Sequence, residues 1–163
     1  MTKNITTTNT LASKDADKAQ TDLFDHFCEL VTRMFMALEE EEWVTEAGWD
    51  IAYGRSVSDA DAAWTLVALQ ADTVTAMSPL SANDLLLHRM AGLVRRALAA
   101  TNLAELEIVQ TRAMHCLAQA PMSLARPVQD LGRETVTSIG QMIEHVLTCD
   151  GDQMSEPALP LAA

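Results

Sequence analysis

Aromatic residues are scarce in this chain, with three Trp, three Phe and one Tyr among 163 residues. Aromatic rings therefore cannot fill a core, and the apolar 48% must pack mainly as Ala, Leu, Val and Met, a composition that favours helices. Glycine is also sparse, and no Walker loop, G-x-S-x-G or dinucleotide-binding glycine fingerprint occurs, so nucleotide-binding and common hydrolase signatures are missing. Cys28, Cys116 and Cys149 are odd in number and form no C-x-x-C pair. They read as reduced thiols in a cytosolic protein, filling space as small hydrophobes.

Long apolar runs are lacking too. No segment approaches the roughly 20 apolar residues of a membrane span, and the first residues have no signal-peptide core. The expectation is a cytoplasmic protein without a transmembrane segment.

Positive charge is the last shortage: 11 Lys and Arg face 23 Asp and Glu, a net charge of −12. Such a chain repels phosphate backbones, so nucleic acid is not an expected partner. The imbalance is uneven. All six Arg of the second half fall within residues 84–133 against four acids, so an acidic half and a locally basic segment could associate between copies.

What is present reads as one domain over 21–149, between expected disordered tails at 1–20 and 150–163. The first tail is polar; the second carries Gly151, Pro157 and Pro160 as breakers. Apolar spacing predicts five helices. The first begins near Asp22 as N-cap and stops at Gly48. The second starts at Ser58, with Asp59 and Asp61 in its first turn, and ends at Ser78-Pro79. The third spans Ser81 to Ala100, with His88 and Arg95 opposite its apolar side. The fourth follows a cap at Thr101-Asn102. Pro121 and Pro127 close it and open the fifth, the most regular. The fold class is all-α, an antiparallel bundle of four to five helices.

Three constellations stand out. ALEEEEW places Glu39, Glu40, Glu41 and Glu42 before Trp43. Consecutive helical residues fan out by about 100°, so the four cannot converge on one ion, and no Glu-x-x-His motif accompanies them. No metal or other cofactor is expected. The acids read as a solvated helix end, or as a docking surface if they lie against the unfavourable end of the helix dipole. Trp49 and Tyr53 sit in an expected aromatic connection, 48–57, either a plug for the core or an interface anchor.

The stretch LLLHRMAGLVRRAL sets His88 one turn before Gly92, with Arg89, Arg95 and Arg96 nearby. It resembles the histidine-phosphotransfer domains, in which a small residue one turn on admits a receiver; their basic residue three positions after His is Ala91 here. The resemblance implies a signalling module using His88.

Residues 84–148 carry a different likeness. TNLAELEIVQTRAM, preceded by RMAGLVRRALAA and followed by QDLGRETVTSIGQMIEHV, resembles the phasin family, although Pro121 and Pro127 interrupt the long helix usual there. The resemblance implies a non-enzymatic helical protein coating polyhydroxyalkanoate granules, often as a homo-oligomer. Leu87, Met90, Val94, Leu106, Val109, Ile139 and Ile143 are then the residues expected to meet the apolar granule surface. An acidic adaptor docked on a protein partner through ALEEEEW and the aromatic connection is the further alternative.

Overall fold

A computed structural model describes the backbone of residues 21–47 and 53–153, and the side chains of 21–44 and 57–148. It is all-α: α1 (Asp22–Ala47), α2 (Tyr53–Ala76), α3 (Ala82–Leu98), α4 (Leu103–Ala118) and α5 (Arg126–Gln153). The residues assigned to the first tail, the end of the second and Trp49 lie outside the described residues.

Helix starts follow local chemistry. The Phe24 N–H donates to Thr21 Oγ1 at 3.1 Å, so Thr21 rather than Asp22 is the cap of α1, and Asp22 lies in the first turn, where the dipole favours it. Ser81 caps α3 by accepting from the Asp84 N–H, and Asn102 caps α4 by accepting from the Glu105 N–H. Pro127 is the second residue of α5, where its missing N–H breaks no bond of the helix.

Two expected boundaries move. α2 begins at Tyr53, not Ser58, so the second half of the expected connection 48–57 is helical. α5 continues past the expected boundary at 150 and through Gly151; glycine weakens a helix by about 1 kcal/mol without deleting a hydrogen bond, unlike proline.

α1 and α2 are antiparallel neighbours, because Gln70 Nε2 donates to the His26 carbonyl and Trp64 Nε1 to Glu41 Oε1, each at 2.9 Å. Links from His88 to Thr75 and from Arg95 to Asp72 set α3 antiparallel to α2. Gly132 faces Leu117 while Gly140 faces Gln110, which runs α5 back along α4. The starts of α1, α3 and α5 gather at one end: Thr21 Oγ1 donates to Asp84 at 2.7 Å, and the Ala125 N–H to Asn83 Oδ1 at 3.1 Å. Odd-numbered helices therefore run one way and even-numbered helices the other. α3 touches all four others, and its Leu87, Met90 and Val94 are wholly buried beside Phe27, Leu30, Met34, Val67 and Ile139.

Candidate functional site

The seven residues expected to meet an apolar surface are instead the inside of the bundle. Leu87, Met90, Val94 and Ile139 are fully buried, and Leu106, Val109 and Ile143 are no more than 8% exposed. The reason is geometric: an amphipathic stripe has the same spacing whether it meets a foreign surface or a neighbouring helix, and here each helix has neighbours to meet.

Large apolar side chains reach solvent on all five helices, Leu85 of α3, Ile108 and Met114 of α4 and Leu147 of α5 included; among the described residues α1 and α2 carry five of them. Phe35, Met36 and Trp43 of α1 and Leu66 and Leu69 of α2 are about half to two-thirds exposed. Met36 and Trp43 are two turns apart, hence on one stripe; Leu66 and Leu69, one turn apart, share a face of α2. The Phe35 ring also borders a groove of about 560 Å³ facing Arg133, Thr137 and Gln141 of α5. This spacing differs from the core stripe, and in the sequence it was hidden by the stronger inward pattern.

The four acids separate by role. Glu39 and Glu42 are exposed and Glu40 is half-buried. Glu41 accepts the Trp64 indole N–H, which ties α1 to α2, so the run is not a uniformly solvated end. Because α1 continues to Ala47, all four acids lie a full turn or more before its terminus, beyond most of the dipole's reach. Trp43 is exposed beside them. Tyr53 opens α2, but its side chain, like Trp49, lies outside the described residues.

His88 does not stand free on a polar face. It is half-buried, with Nε2 3.0 Å from the Thr75 carbonyl; as a donor there it satisfies one of the carbonyls left open at the end of α2. Phosphorylation at Nε2 would give up that bond, leaving Nδ1 as the other ring nitrogen. A Cβ on Gly92 would meet nothing within 4 Å, so internal packing does not require glycine there.

Asp84 was not singled out in the sequence. It is 2% exposed and accepts from Thr21 Oγ1 at 2.7 Å and from the Leu80 N–H at 3.2 Å. Its S-x-x-D spacing from Ser81 is visible in sequence as half of a capping box; its reach to α1 is not. Burial raises the Cys28 thiol above its ordinary pKa, helped by the Asp25 and Glu134 carboxylates. Burial likewise raises the Cys116 thiol, against an opposing influence from Arg89.

Among the described residues no group of three His, Cys, Asp or Glu side chains could hold a metal ion. No helix among them is long and apolar enough to cross a membrane. No family model, curated protein or solved structure matches this chain.

Proposed function

We propose that the protein works without catalysis, as a phasin-like helical protein that attaches to apolar surfaces such as polyhydroxyalkanoate granules, or to itself, from the cytoplasm. The observation that carries this reading is the exposed apolar set Phe35, Met36, Trp43, Leu66 and Leu69 on α1 and α2. Exposed Leu or Met residues are ordinary singly. Here Met36 with Trp43, and Leu66 with Leu69, recur at helical spacing on two adjacent helices, and the net charge of −12 would keep coated particles apart.

Attachment through this outer face leaves the bundle closed. Attachment through the buried stripe would require the helices to separate and forfeit their mutual burial, at about 25 cal/mol per Å² of apolar surface. The outer face is thus the less costly route.

The test is binding to polyester particles, with albumin as the nonspecific control. The quadruple variant Phe35→Ser, Met36→Gln, Leu66→Gln, Leu69→Gln should keep the wild-type helicity and lose most of its attachment. Changing Glu39, Glu40 and Glu42 to Gln should leave attachment intact or strengthen it, because Glu39 lies among Phe35, Met36 and Trp43 and its charge opposes contact with an apolar surface. Wild-type binding no stronger than albumin's would refute the granule role.

A further inference from the structure

Between the first half of α3 and the last half of α4 lies an open cleft of about 620 Å³, lined by the exposed Arg89, Arg112, His115 and Leu85 at its rim and by the buried Leu86 and half-buried Cys116. A volume in this range is usual for small-molecule sites, which run from roughly 300 to 1,000 Å³. In a chain with net charge −12, no carboxylate among the described residues lines it.

The two arginines come from different helices, and neither has an ion-pair partner among the described residues. Sequence spacing explains this. Arg33 pairs with Glu29 one turn back, and Arg126 and Arg133 pair with Asp130. The positions one turn from Arg89 are Leu85, Leu86, Gly92 and Leu93, and those from Arg112 are Ile108, Val109, His115 and Cys116. No acid is available to either along its own helix, and two guanidiniums face the cleft without a carboxylate partner among the described residues.

Ala82, Ala120 and Pro121 extend the apolar lining beyond the arginines. A bare inorganic anion would use the rim and leave that lining unfilled; a neutral apolar molecule would do the reverse. We propose that the cleft binds an anionic amphiphile, a carboxylate head held between Arg89 and Arg112 with an aliphatic chain lying on Leu85 and Leu86. Arginine suits this head because its planar fork can meet both carboxylate oxygens. Cys116 lies under the chain and reports occupancy. The site is distinct from the outer face of α1 and α2 and does not depend on the granule reading.

Calorimetric titration with decanoate, below its micelle-forming concentration, tests the assignment against acetate, which lacks the chain, and decanol, which lacks the charge. The expected result is saturable one-to-one binding of decanoate, with both controls weaker by at least about tenfold. The variant Arg89→Gln, Arg112→Gln should lose at least about tenfold in affinity, since it removes the charge-assisted hydrogen bonds to the carboxylate. Both residues are exposed, so the variant should melt like the wild type. Decanoate should also slow alkylation of Cys116 but not of Cys28. Acetate binding as tightly as decanoate, decanol binding as tightly, or undiminished binding by the double variant would overturn the proposal. So would an absence of decanoate binding; self-association that the double variant abolishes would then make the cleft a contact for the acids of a second copy.

Discussion

Replacing Asp84 with alanine would leave the Thr21 hydroxyl and the Leu80 N–H without the acceptor that now joins the start of α1, the α2–α3 connection and α3. Loss of a buried acceptor of this kind costs about 1–3 kcal/mol, so the unfolding free energy of Asp84→Ala from urea titration should be lower by about that amount. Asp84→Glu, too long for the same geometry, should rescue little. Glu105 poses a question of pH. The Thr101 backbone N–H donates to it at 2.8 Å, and this holds its carboxyl below the ordinary glutamate value. With the folded pKa depressed, the stabilisation is present above the unfolded value and is lost as pH falls through the folded one. Because Glu105 is fully exposed, the effect belongs in its own titration: an NMR midpoint at or above the ordinary value would contradict the cap geometry. The S-x-x-D and N-x-x-E spacings were legible in sequence. The Thr21–Asp84 bond was not, because its partners are far apart along the chain and periodicity contains no information about which helix ends meet.

Three helical glycines distinguish intrahelical cost from packing. Gly92 on α3 has open space where a Cβ would go, whereas a Cβ on Gly132 would stand 2.9 Å from Leu117 Cδ1 and one on Gly140 2.8 Å from Gln110 Nε2. Alanine in a helix is favoured over glycine by about 1 kcal/mol, so Gly92→Ala should raise stability by up to that amount. Gly140→Ala should also gain, since Gln110 is only half-buried and its amide can swing aside. Gly132→Ala should gain nothing or lose, because Gly132 is buried and the added Cβ would meet Leu86 Cδ2 at 4.0 Å as well as Leu117. Thermal melts of the three variants test this ordering; a stabilised Gly132→Ala would mean that α4 and α5 are not held as closely as described. Helix existence was readable from apolar spacing for all five elements, while the start of α2 was misplaced because Ser58 looks like a cap. A cap-like residue within a helix is suppressed when the preceding residues are already helical, as Tyr53 to Val57 are.

At the scale of the whole molecule, the buried stripe and the exposed apolar set should respond in opposite ways to polar substitution. Leu87, fully buried in the helix that touches every other, should not tolerate lysine: an unpaired buried charge adds its desolvation to the loss of a leucine. Leu87→Lys should abolish the cooperative melt seen by circular dichroism. The outer-face variant Phe35→Ser, Met36→Gln should unfold within about 0.5 kcal/mol per site of the wild type, as surface changes usually do. A Leu87→Lys variant that folds normally would place the stripe outside the core. The same comparison separates the two ways an amphipathic helix can act, since only residues that are dispensable for folding are free to serve a partner.

Composition and spacing alone determined that this chain forms helices, that Leu87, Ile139 and their neighbours share apolar sides, and that Ser81 and Asn102 begin helices, because each depends on residues within a few turns. Tertiary structure decided what those apolar sides face. It turned the stripe inward, used Glu41 to bind Trp64, gave His88 to the Thr75 carbonyl, and brought Arg89 and Arg112 to one cleft. The physical reason is that a helix's periodicity specifies an apolar side but not its partner; that choice depends on which helices meet and in which register, through contacts between residues distant in the chain.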